Sequence, residues 1–306
     1  MNARYHPYFV GLLTSGMAAA SANAALTIDL NYDNTSGFFS ETAKTTIQTA
    51  ANHLVSLMQD NLGSITPGGG NSWTAIYHNP ADMNTTVSVV DPSIASDHLT
   101  IYVGAYGMGS GVLGVGGPGW YSASGTQPFL DSVVSRGQAG ALLATPTDFG
   151  PWGGSMAFST ATAWSTGLGA PTGGTSDLYS VSLHEMAHIL GFGTAASWSD
   201  QVNGSHQFTG QYSVSLQGGN VPLDVNNGHW INGTMSVVYG TSTVQETAMD
   251  PDITLGTRKD FTMLDYAGMK DLGWDIPAVP EPAAMAVVTG CGLLLFGWMR
   301  RARRTA

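Results

Sequence analysis

Apolar and polar positions alternate strictly over residues 26–32 (LTIDLNY), the period of a strand with one buried face. After Ser40 the period changes. Ile47, Ala51, Leu54 and Met58 recur at helical spacing and predict a helix over 41–61, with Ser40 as its N-cap. Gly63 and the Pro67-Gly68-Gly69-Gly70 cluster stop it. Alternation returns at 73–77, 86–90 and 99–103, which read as three further strands. The glycine-rich run 104–119 reads as a surface loop, and it lacks the Gly-x-x-x-x-Gly-Lys-Ser/Thr spacing that cradles phosphate. A helix near 129–136 and a short strand at 153–158 (GGSMAF) follow. On that strand Ser155, Met156, Ala157 and Phe158 are candidates for an edge along which an extended peptide docks by backbone hydrogen bonds, an ordinary sheet strand being the alternative.

The next helix, starting at Ser176 or Asp177, carries the chemistry. In VSLHEMAHILGFGT, His184 and His188 stand four residues apart, so both imidazoles share one helix face, with Glu185 about 100° around the turn. Leu183, Ala187 and Leu190 turn toward the core, and Gly191 lets the chain leave the helix in a left-handed turn. Two imidazoles on one face suit zinc, which takes about four ligands, binds nitrogen at roughly 2.0–2.1 Å and keeps one position for water in catalytic sites. A third ligand must then come from elsewhere, and His206 (NGSHQFTG) and His229 (VNNGHW) are the candidates downstream. His6, His53, His78 and His98 have no ligand spacing. Zinc so held would lower the pKa of its water toward about 7, and Glu185 is placed to accept the proton and return it to a leaving amine.

Beyond the histidines, 262–272 predicts a last helix with Leu264, Met269 and Leu272 apolar, ended by Gly273 and followed by Trp274. Asp250, Asp252 and Asp260 are dense enough to suggest a structural calcium site, yet they lack EF-hand spacing and read first as exposed turn acids.

HEMAHILG, the downstream Met249 in ETAMDP, the segment SDLYSVSLHEMAHILGFG and the GGSMAF strand together resemble the metzincin clan of zinc endopeptidases, over roughly residues 150–276. The resemblance implies an α+β fold: a twisted mixed sheet with two long helices in an upper lobe, and an irregular lower lobe with the C-terminal helix. It also implies a methionine turn at Met249 beneath the metal. Most metzincins place the third histidine where this chain has Thr194, a poor zinc ligand. In the leishmanolysin-like branch an insertion separates the glycine from that histidine. The order VPL, GHW, AMDP is similar to that arrangement and implies His229. No tyrosine follows Met249, so the oxyanion-stabilising tyrosine of some metzincins has no counterpart at that position.

Charge and the chain ends place the domain. Residues 25–278 hold five Lys/Arg against 20 Asp/Glu, a formal net charge of −15 that repels nucleic acid and anionic membranes. The one cysteine, Cys291, lies in the C-terminal apolar stretch, so the catalytic segment can form no disulfide. Residues 1–24 read as an export signal: Arg4, an apolar run over 9–20, then Ala22-Asn23-Ala24 as a small-residue cleavage site. At the other end Val279-Pro280-Glu281-Pro282, the apolar stretch 283–298 and Arg300, Arg301, Arg303 and Arg304 read as an anchor with a positive-inside stop. This tail, 279–306, resembles the PEP-CTERM sorting signal of Gram-negative bacteria, which implies processing by an exosortase, a transient inner-membrane anchor and an extracellular or cell-surface destination. Residues 25–278 are then expected to form one catalytic domain, a secreted or surface-retained zinc endopeptidase acting on protein or peptide. The competing classes are a non-catalytic matrix or adhesion protein on the same scaffold, and a zinc hydrolase of another bond.

Overall fold

The computed structural model describes residues 25–277, so the export and sorting segments, 1–24 and 279–306, lie outside the described residues. The chain is α+β, built on a four-stranded mixed sheet. β1 (Thr27–Tyr32) leads into α1 (Glu41–Val55), then β2 (Ser72–Asn79), β3 (Asp82–Val90), β4 (His98–Tyr106), β5 (Gly114–Pro118), β6 (Trp120–Ser124), α2 (Gln127–Ser135) and β7 (Gly153–Ser159). The main sheet runs β1-β4-β7-β5, parallel across the first three strands and antiparallel at β5. A second sheet, β3-β2-β6, is antiparallel throughout. Among the described residues no helix is long and apolar enough to cross a membrane.

Helix α1 starts where expected because the Ser40 hydroxyl accepts from Ala43 N at 3.2 Å. It ends at Val55 rather than 61. There Met58 N bonds back to Val55 O and Gln59 N to Asp275 O, which takes the backbone out of the helical ladder while Met58 still reaches the core. The helix packs against α3 (Leu178–Ile189), and Ile47, Ala51 and Leu54 are wholly buried with Leu183, Ala187 and Leu190 in one apolar core. Beyond α3 the chain is irregular, with only α4 (Ala196–Ser199), α5 (Gln211–Gln217) and short two- and three-stranded ladders before α6 (Met263–Asp271). Helix α6 opens on a capping box between Thr262 and Asp265. The same core, including Trp198, Phe208, Trp230 and Trp274, runs through this region.

Two readings of the sequence need correction. The 104–119 run is not a surface loop: β4 extends to Tyr106, and Gly114–Pro118 forms β5 at the end of the sheet. Alternation is weak there because the inward positions are glycines. A Cβ at Gly114 would lie 2.8 Å from Glu185 Oε1, and one at Gly116 would overlap the Glu185 carbonyl. Glycine lets α3 press directly onto the strand. Secondly, β7 cannot be a docking edge. Ser155, Met156, Ala157 and Phe158 are buried and paired on both sides, to β4 and to β5, so their strand has no free hydrogen-bonding edge. The edge strand on the β7 side of the sheet is β5, the other edge being β1.

A second, smaller core joins the β3-β2-β6 sheet to α2 through Trp73, Tyr77, Ile94, Phe129, Val133 and Trp152. Beside it sits Arg136, wholly buried, in a left-handed conformation with φ of 50°. It faces backbone carbonyls: Nε donates to Gly63 O at 2.5 Å, Nη1 to Pro151 O at 3.2 Å, and Nη2 to Ala95 O and His98 O at 3.0 and 3.1 Å. One planar cation thus ties three separate stretches of chain to its own. Arg136→Met removes the cation's desolvation cost but strands four carbonyls, and a net loss of about 2–3 kcal/mol is expected in urea unfolding.

Candidate metal centre

Each part of the centre is positioned by local chemistry. Asp177 caps α3, accepting from Ser180 N at 3.2 Å and Ser180 Oγ at 2.7 Å. It is itself gripped bidentately by Arg258, at 2.9 and 2.8 Å. Gly191 closes the helix at φ of 105°, where a Cβ would meet the Phe149 ring at 2.7 Å. Thr194 donates its hydroxyl to His188 O at 2.7 Å and so bonds an end carbonyl of the helix.

The structure brings together the three expected histidines. Nε2 of His184 lies 3.1 Å from Nε2 of His188 and 3.1 Å from that of His229, and the last two are 3.0 Å apart. Among the described residues these three are the one group of His, Cys, Asp or Glu side chains that converges to hold a metal ion. His206 stands apart, its Nδ1 2.8 Å from Asn227 Oδ1. Asp250, Asp252 and Asp260 form no cation cage, and Asp250 is not an exposed turn acid. Its side chain is buried and bound by Lys259 Nζ at 2.6 Å, while Asn232 donates to Asp252 at 2.5 Å.

The second ring nitrogens explain the convergence. His184 Nδ1 donates to Ala248 O at 2.8 Å and His188 Nδ1 to Phe192 O at 2.7 Å, while His229 Nδ1 faces Asp224 Oδ2 at 3.3 Å. A carbonyl or carboxylate can only accept, so the proton sits on Nδ1 and the Nε2 lone pair is turned inward. Burial, with each ring beside the others, holds His184 well below the usual imidazole range and His188 down at about 4, so both stay neutral at neutral pH. Three lone pairs aimed at one point repel one another unless a cation sits between them. Nitrogens about 2.0–2.1 Å from one ion are about 3.3 Å apart at tetrahedral angles, a spacing the observed triangle approaches. The donor set therefore fits a metal ion.

Glu185, 6% exposed, lies beside the trio. Burial pushes its carboxyl up to about 8, against the hydrogen bond from the Gly116 backbone N–H. A cleft of about 520 Å³ opens over these groups, lined by β5 on one side, α3 below and Ala248–Leu255 on the other.

Met249 is wholly buried, and its carbonyl accepts from Trp230 N at 3.0 Å, joining the turn that holds Met249 to the residue after His229. Two carboxylates that sequence reasoning did not single out hold this joint. Asp224 accepts from Gly228 N and His229 N at 2.9 and 3.2 Å in addition to facing the His229 ring. Asp265, wholly buried, accepts five hydrogen bonds: Ala248 N at 2.9 Å, Met249 N at 3.2 Å, Trp230 Nε1 at 3.1 Å, Thr262 N at 2.9 Å and Thr262 Oγ1 at 2.7 Å. The Thr262-x-x-Asp265 capping spacing was a sequence signal for this residue, though only for its helix role. Comparison with protein-family models, with curated proteins and with solved structures finds no match for this chain.

Proposed function

We propose that the chain is a zinc-dependent endopeptidase of metzincin type, exported and held transiently by its C-terminal tail. The observation that carries this reading is Glu185, a buried carboxylate without a cationic partner, set in an open cleft directly beside three converging imidazole nitrogens. His184, His188 and His229 would hold the ion, and three imidazoles with room for a further ligand suit zinc. Bound there, zinc supplies Lewis acidity toward a carbonyl and a water acidified to near neutrality. Glu185 accepts the water's proton and carries it to the departing amine. The free edge of β5 offers backbone groups to an extended peptide, and the glycines at 114 and 116 keep that edge close to Glu185. The N- and C-terminal segments read from the sequence supply export and anchoring, with an exosortase-type partner.

Metal content and proteolysis test the reading together. Protein spanning residues 25–278 is expected to carry about one zinc per chain by elemental analysis and to cleave casein. A chelator should abolish cleavage, and zinc should restore it. Stoichiometric zinc with no cleavage of any protein would favour the non-catalytic scaffold, and absence of metal would remove the site.

A further inference from the structure

We propose that the cleft selects a basic side chain, lysine or arginine, beside the scissile bond, and that Ser176 and Asp252 read its charged end. This inference rests on the endopeptidase reading. Away from the histidines the cleft continues between α3 and the 250–255 segment. Val181, Ile253 and Leu255 give it apolar walls of the kind that cover a methylene stem.

Its polar groups sort by what they have left to offer. Ser180 Oγ is engaged twice, donating to Asp177 and accepting from Lys259 N at 2.7 Å. Lys259, among the described residues the only Lys or Arg lining the cleft, spends its three ammonium hydrogens on Asp250 Oδ1 at 2.6 Å, Asp252 O at 2.6 Å and Glu246 Oε2 at 3.1 Å. It has none to give an incoming carboxylate. The surrounding charge is negative, since the Asp250 and Glu246 carboxylates face this single ammonium and the Asp252 carboxylate, which meets Lys259 only through its backbone carbonyl, adds a third. Asp252 is exposed at the rim and bound through one oxygen by Asn232.

Ser176 is the exception among these groups. It lines the cleft, is wholly buried, and its hydroxyl has no hydrogen-bond partner. Its backbone N–H is fixed to Ala163 O at 2.9 Å, which anchors the residue on the cleft wall. A buried hydroxyl without a protein partner on a cleft wall can be completed by a group that arrives with the ligand. In an acid-rich pocket with apolar walls, the arriving group that fits is a donor on an aliphatic stem. The −15 charge of residues 25–278 steers such substrates from a distance.

The test begins with the purified protein and a peptide library digested from a cell lysate, with cleavage sites read by mass spectrometry. Lysine and arginine should be enriched at one position flanking the cut. Matched peptides carrying lysine, norleucine or glutamate at that position should then rank in that order in kcat/KM, with lysine about tenfold over norleucine at low salt and less at high salt. Ser176→Ala and, independently, the surface change Asp252→Asn should each lower the lysine-to-norleucine ratio severalfold. Norleucine cleaved as well as lysine by the native protein, or ratios unmoved in both variants, would overturn the proposal while leaving an endopeptidase. Zinc-loaded protein that cuts no peptide would instead remove the reading on which it rests.

Discussion

Glu185→Gln is expected to bind metal as the native chain does and to lose about 10²–10⁴-fold in turnover. The two side chains are isosteric, and glutamine keeps an oxygen that can accept from the Gly116 N–H. What it loses is the ability to take a proton. In the native chain burial drives the carboxyl up to about 8, a value suited to accepting and returning a proton near neutral pH. A cation in the adjacent trio favours the ionised form and so brings the group into its working state. Elemental analysis and kcat on one peptide check both halves of the expectation. Full turnover in the glutamine variant would sink the assignment of the base, and loss of metal would show that Glu185 is needed to build the site.

Asp265→Ala should cost about 3–5 kcal/mol, the range for leaving buried polar partners uncompensated. Five donors converge on this one carboxylate, from three separate segments. Burial pushes its carboxyl upward, and the backbone donors of Thr262, Ala248 and Met249 oppose it. Because Ala248 also supplies the carbonyl that orients His184, and Trp230 follows His229 directly, metal affinity should fall together with stability. Asp265→Asn should be milder, keeping one acceptor while turning an amide donor toward the other N–H groups. Urea denaturation and competition with a chromogenic chelator measure the two effects. A stability loss with unchanged metal affinity would confine Asp265 to capping α6.

The sequence announced the parts of this site that depend on local spacing. His184, Glu185 and His188 follow from helical periodicity, and helix α3 begins and ends on residues that cap by themselves, Asp177 and Gly191. His229 was reachable only through the order of segments, since nothing local distinguishes it from His206. Two features were misread for one reason. Whether a strand is central or at an edge is a property of the sheet, so GGSMAF looked like a docking edge although β7 is paired on both sides. The true edge, β5, hid among glycines that exist because α3 presses on it. Asp265 and Lys259 were unreadable as keystones because their partners are brought together only by the fold.

The three-histidine centre also bears on how the chain stays folded. The described residues contain no cysteine, so no covalent bridge restrains them. One ion shared by His188 and His229 would pin two points 41 residues apart along the chain. By loop-closure entropy a cross-link of that span is worth about 4 kcal/mol, comparable to a disulfide. The stretch so enclosed holds α4, α5 and the three-stranded ladder over 202–222, which have little regular structure of their own. For the exported enzyme proposed above, the catalytic ion would then double as its staple, and metal supply would set its working lifetime.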